Sequence, residues 1–221
     1  IEKIKNYSII LILLLFFFIN LHQLNFQHWS AMMDMDSTVV YNSLLVASGL
    51  EQEFRDHPAF TQFLINGFIF KLVSFFQNTY SVNIDVILNS ENIDESFNFY
   101  FNLARIVNYL INILLILFFY RLLNLLKIKK EIIYFTCIIL IFSKWYVMSF
   151  FSLRPEVLSL VFFIVSIIFF FSKKRNLIVN YFFCGFFLAL AMLTKIQVIF
   201  LFAIPVFLIP FNISEKKLND F

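Results

Sequence analysis

Apolar runs long enough to cross a lipid bilayer recur along most of this 221-residue chain, and they leave it few ways to fold. A spanning helix needs about 20 largely apolar residues. Residues 7–21, 103–126, 132–151, 157–171 and 177–193 meet that need, and 198–211 make a sixth run. With 61% hydrophobic and only 14% charged residues, a globule of this size has too little polar surface to face water. Lipid is the expected solvent. In hydrocarbon each backbone amide has to be satisfied within its own segment, so the expected fold class is all-α, a polytopic integral membrane protein. Only Thr194-Lys195-Ile196-Gln197 separates the last two runs; as one helix they would extend about 55 Å, so a hairpin is expected there.

Residues 59–76 have a different pattern. On a helical wheel Leu64, Ile65, Phe68, Leu72, Phe75 and Phe76 share one face, whereas Gln62, Asn66, Gly67, Lys71, Ser74 and Gln77 share the other. That division suits a helix lying in the interface with its apolar face in lipid. The basic clusters Lys3/Lys5, Lys127/Lys129/Lys130, Lys173/Lys174/Arg175 and Lys216/Lys217 test this choice, because cytoplasmic loops concentrate Lys and Arg. If 59–76 lies flat, two spans separate each cluster from the next and all four face the cytoplasm. If it crosses, Lys3/Lys5 are stranded on the opposite side. The expected architecture is therefore about six transmembrane helices with a cytoplasmic N-terminus. Residues 22–102 form a large extracytoplasmic first loop with an interfacial helix over 59–76. The run at 7–21 follows two lysines without a small-residue cleavage site, as an uncleaved anchor would. Residues 1–221 read as the N-terminal part of a longer protein.

The first loop holds nine of the fourteen acids, so chemistry is expected on the outer face. Asp34 and Asp36 follow Trp29 closely, and carboxylates beside lipid suit a general base or a cation site; a solvated loop with an Asp capping the next helix is the plainer alternative. His57 precedes Pro58, which is placed to start the 59–76 helix. Arg105, Lys144, Arg154 and Lys195 are the cations available from the outer half. Lys144 follows eleven uncharged residues, 132–142, inside one apolar run. A lysine at mid-bilayer costs about 2.5–3.5 kcal/mol on insertion scales, so a polar cavity or snorkelling to the interface is expected. Arg154-Pro155-Glu156 has the form of a helix start, with Pro in the first turn and Glu at the positive end. Cys137 and Cys184 lie in apolar runs as buried, inert thiols. The net charge of +3 gives no reason to expect a nucleic-acid partner.

The order of these features resembles the integral-membrane glycosyltransferases of the GT-C superfamily. An acidic pair follows the first span, then come Tyr41, Ser48-Gly49, His57-Pro58, an amphipathic helix and Arg105 at the next span. The resemblance is to the protein mannosyltransferase-like and lipid A aminoarabinose transferase-like branch, and it covers the chain as an N-terminal half. It implies an inverting transfer of a hexosyl or pentosyl group from a polyprenyl-phosphate-linked donor to a glycan, lipid or protein acceptor outside the cell, in a bacterial inner membrane. It assigns the general base to Asp34 or Asp36; the usual Asp-Glu pair is here Asp34-Met35-Asp36. Substrate or donor-phosphate binding is expected of His57, Arg105, Lys144, Arg154, Glu156 and Lys195; Arg154-Pro155-Glu156 and Lys195 are similar in position to residues of that family. A divalent cation, Mg²⁺ or Mn²⁺, would take oxygen ligands from Asp34 and Asp36. The competing expectation is a transporter or lipid flippase subunit, whose sites are built from broken helices in related repeats.

Overall fold

The computed structural model describes residues 28, 30, 35–54, 59–77, 79–172 and 176–201. The described residues form helices and connecting turns, with no strand among them. In chain order the helices are α1 (Asp36–Ala47), α2 (Phe60–Phe76), α3 (Ile84–Leu88), α4 (Ile93–Leu125), α5 (Lys130–Phe142), α6 (Lys144–Phe151), α7 (Pro155–Phe171) and α8 (Leu177–Thr194). The runs at 7–21 and, beyond Leu201, 198–211 lie outside the described residues, as do Asp34 and His57.

Two helices, α4 and α8, are long and apolar enough to cross a bilayer, and α5 with α6 makes a third if that bent pair is one span. Large apolar side chains point outward along these helices and α2; Phe68 and Phe75 are 68% and 77% exposed. Such surface is stable only against lipid or another apolar partner. The chain is thus a helical, membrane-associated protein.

Helix α4 begins earlier than the apolar run at 103–126 predicts. Its 33 residues start at Ile93, with Asp94 and Glu95 at the positive N-terminal end. At about 1.5 Å per residue it is some 50 Å long. One end packs Tyr100, Phe101 and Ala104 with α1, α2 and α3. The other packs Val107, Ile111, Leu115 and Ile116 with α5, α6 and α7. Two apolar cores therefore share one rod. Beyond α4, Lys127 takes a left-handed φ of 57°, and Ile128 N–H and Lys127 N–H return to the carbonyls of Leu123 and Asn124. These bonds cap the helix end before α5 begins.

The wheel of 59–76 is realised with one change. Leu64, Phe68, Leu72, Phe75 and Phe76 are exposed as one outward apolar face. Gln62, Asn66 and Gly67, expected in water, are instead buried, because the small residue lets α1 approach closely. A β-carbon at position 67 would sit 2.8 Å from the Ser43 carbonyl oxygen. Thr61 also bonds Thr194 at the end of α8, tying the first-loop helices to a span. Helix α8 ends where the hairpin is expected to turn: Lys195 leaves it in an extended conformation and a 3₁₀ turn follows at Ile196–Val198; the return arm lies outside the described residues beyond Leu201. Cys137 and Cys184 are buried free thiols.

Gly67→Val should therefore push α1 from α2 and lower stability by about 1–3 kcal/mol, the usual cost of overpacking. Thermal unfolding in detergent checks this, with Gly185→Ala, which meets open space, as the unaffected control.

Candidate functional site

The third apolar run, 132–151, does not form a continuous helix. It breaks at Ser143, whose backbone turns extended (φ −67°, ψ 140°), and α5 and α6 diverge by 53°. Lys144 is thus the first residue of a new helix, at the break, and it is exposed. This explains the lysine physically: the break opens a polar recess beside it.

At the break itself Ser143 is the local cap: its Oγ donates to the Leu140 carbonyl at 2.7 Å and accepts the Tyr146 N–H at 3.3 Å. The far end of α6 leaves further carbonyls without intrahelical partners, and in an apolar setting each requires a donor. Two asparagines one turn apart on α4 supply donors there. Asn108 Nδ2 donates to the carbonyls of Ser149 (2.8 Å) and Ser152 (3.1 Å). Asn112 Nδ2 reaches Ser149 O at 3.3 Å, while its own Oδ1 accepts from Ser149 Oγ at 2.6 Å. Tyr146 closes the set by donating to the Asn112 carbonyl (2.8 Å). All five residues are buried. These groups were missed by sequence reasoning, although two Asn at i and i+4 in an apolar helix were the available signal.

Beyond α6 the chain turns through Ser152-Leu153-Arg154 into α7. Pro155 occupies the first turn of that helix and Glu156 its positive end, as expected. Arg154 N–H donates to Ser152 O at 2.9 Å, closing a three-residue turn. A cavity of about 390 Å³ opens between the helix break and this turn, lined by Lys144, Trp145, Ser149, Ser152, Arg154 and Glu156. A neighbouring cavity of about 340 Å³ shares Trp145 and Glu156 and adds Lys195. Lys195 Nζ bonds Glu156 Oε1 at 2.9 Å. Both ends of that pair are partly exposed, so it adds at most about 1 kcal/mol to stability and serves mainly to hold Glu156. The structure thus brings together Lys144, Arg154, Glu156 and Lys195.

Asp36 and Arg105 form a second feature directly behind this cavity. Asp36 is 0% and Arg105 1% exposed, with Arg105 Nη2 3.9 Å from Asp36 Oδ2. The guanidinium also lies over the Phe101 ring, 5.8 Å from its centroid. Asp36 Oδ1 accepts the Leu153 N–H at 2.7 Å. Asp36 is the first residue of α1, yet its side chain does not cap that helix. With a guanidinium and a backbone N–H against its carboxylate, Asp36 does not fit a cation ligand. Among the described residues no group of three or more His, Cys, Asp or Glu converges on a point.

On the other side of the pair lies a cavity of about 550 Å³ built by the first loop, lined by Ser37, Tyr41, Asn42, Glu53, Phe97 and Phe101 among others. Asn42 Oδ1 accepts from the backbone N–H groups of Glu53 (2.9 Å) and Phe54 (3.1 Å), which fixes that segment against α1. Burial raises the Tyr41 phenol above its ordinary pKa, and its hydrogen bond to Glu53 raises it further. Asp34 and His57 lie outside the described residues, so neither is located relative to these cavities.

Comparison of the chain with protein-family models, curated proteins and solved structures finds no match.

Asn108→Leu is expected to orphan the Ser152 carbonyl and to leave Ser149 O with only the longer bond from Asn112. A buried polar group left unsatisfied costs about 1–3 kcal/mol, so the melting temperature in detergent should fall clearly below wild type. An Asn108→Leu protein as stable as wild type would contradict this account of how the end of α6 is held.

Proposed function

We propose that the chain is the N-terminal part of a GT-C-type membrane glycosyltransferase with about six spans, which moves a sugar from a polyprenyl-phosphate carrier to an acceptor on the extracytoplasmic face. The observation that carries this reading is the approach of Lys144 and Arg154 to one cavity among apolar, lipid-facing helices. A ligand suited to that setting combines a phosphate with a hydrocarbon chain. Cleaving the sugar–phosphate bond leaves charge on the departing phosphate, and fixed cations stabilise it as it develops. The acceptor hydroxyl forms the new bond at the anomeric carbon, and its proton passes to a carboxylate. That role belongs to one of Asp34 and Asp36, not to both. The first-loop cavity, with hydroxyl, amide and carboxylate groups beside aromatic walls, suits the acceptor end.

A second reading, a lipid flippase or transporter subunit, draws on the break at Ser143, because discontinuous helices are common in transport sites. The two diverge in what becomes of the ligand. The full-length protein in proteoliposomes, offered hexosyl and pentosyl undecaprenyl phosphates, is expected to release undecaprenyl phosphate and form a glycosylated product. Arg154→Ala and Lys144→Ala should each slow that release by about 10²–10³-fold, the range typical for loss of one transition-state donor. Movement of the intact donor across the bilayer without bond cleavage would support the flippase and defeat the enzyme.

Orientation has its own check. Ser90 lies in the turn between α3 and α4, and both native cysteines are buried. Ser90→Cys should react with a membrane-impermeant maleimide added outside intact cells. Labelling confined to inverted vesicles would reverse the assigned topology.

A further inference from the structure

The role of Asp36 can be taken further. It has no exposed side-chain surface, and it is absent from the residues lining either large cavity. A general base has to come within hydrogen-bond reach of the proton it removes, directly or through one water. Asp36 instead reaches the backbone of the turn that presents Arg154: its Oδ1 holds the Leu153 N–H at 2.7 Å. Leu153 is itself fully buried in the first-loop core. Its neighbour Ser152 is held by Asn108 from α4. The turn is therefore clamped from both sides, by a carboxylate from α1 and by an amide from α4. Arg105, also on α4, supplies the positive charge that allows a buried carboxylate to stand there.

We propose that Asp36 is a positioning residue, which fixes the Ser152-Leu153-Arg154 turn through the Leu153 N–H and so aims Arg154 at the lipid-linked phosphate, without taking a proton itself. This rests on the phosphate site proposed above. Its distinguishing feature is that Asp36 acts through affinity for the phosphate, while a base acts on the chemical step alone.

The test uses the full-length protein in nanodiscs, titrated with undecaprenyl phosphate alone and followed by native mass spectrometry, alongside kcat and KM for transfer. Asp36→Ala should weaken undecaprenyl phosphate binding by 10-fold or more. Arg154→Ala should do the same, and the double variant should be no weaker than the worse single one, because both changes remove the same contact. Asp36→Asn keeps an acceptor for the Leu153 N–H while removing any capacity to act as a base. It should bind within 3-fold of wild type and retain at least a tenth of kcat, even though its melting temperature falls. If Asp36→Ala does not fold, Asp36→Asn alone decides. Normal binding with kcat reduced more than 1000-fold in Asp36→Asn would make Asp36 the base and overturn the proposal. Unchanged binding in a folded Asp36→Ala would also overturn it, leaving the phosphate site intact. A wild-type protein that fails to bind undecaprenyl phosphate would defeat the phosphate site and this inference together.

Discussion

A charge removed from water has to be met by another charge or by strong donors, and in this chain that requirement is satisfied at one point where three elements meet. Asp36 from the first loop, Arg105 from the long helix and the Leu153 amide before α7 come together with no solvent contact for either charge. Removing one partner of such a pair costs about 3–5 kcal/mol, since the other is left buried and uncompensated. The pair therefore also acts as a register device: α1 has few other positions in which its first residue finds both an amide and a guanidinium. The two large cavities flank it, one beside Ser37 and Phe101, the other beside Ser152 and Arg154.

The end of α6 depends on the same logic applied to neutral groups. Ending a helix in an apolar environment exposes carbonyls, and those of Ser149 and Ser152 are answered by Asn108 and Asn112 from the adjacent helix. Those donors lie about forty residues away in sequence, so the seat of α6 against α4 is a tertiary property. The break before it, at Ser143, turns an apparently misplaced lysine into the wall of a recess. Under the proposed reading, that recess is where a lipid phosphate meets fixed positive charge.

This division between local and distant causes explains what could be read from the residues themselves. Apolar runs located α8 and most of α4, Pro155 and Glu156 marked the start of α7, and the polar interruption at 194–197 marked the end of α8. Each rests on signals within a few residues. The break at Ser143 was not legible, because 132–151 is apolar throughout apart from Ser143, Lys144 and a few hydroxyls, and one serine that caps a helix start looks in sequence like any other hydroxyl in an apolar run; the partners of α6 at its far end sit on another helix. The early start of α4 was hidden by the polar composition of 93–102, whose acids favour a helix N-terminus but obscure a hydropathy pattern. The face division of α2 was visible, yet its environment was inverted: the small and amide side was buried because α1 covers it. Among the site residues, Lys144, Arg154, Glu156 and Lys195 were grouped in the sequence by the turns expected around them, and Lys144, Arg154 and Glu156 share one cavity while Lys195 and Glu156 share its neighbour. The enclosure of Asp36 did not, because nothing adjacent to it in sequence names Arg105 or Leu153 as its partners.

One consequence follows from the length of α4. A rod of 33 residues without interruption contributes to both apolar cores, so there is no joint between the part that carries the acids and the part that carries the cations. Under the proposed reading, the spacing across which a transferred group travels is consequently preset, and discrimination among ligands rests on fit to a fixed gauge in preference to closure around whatever arrives.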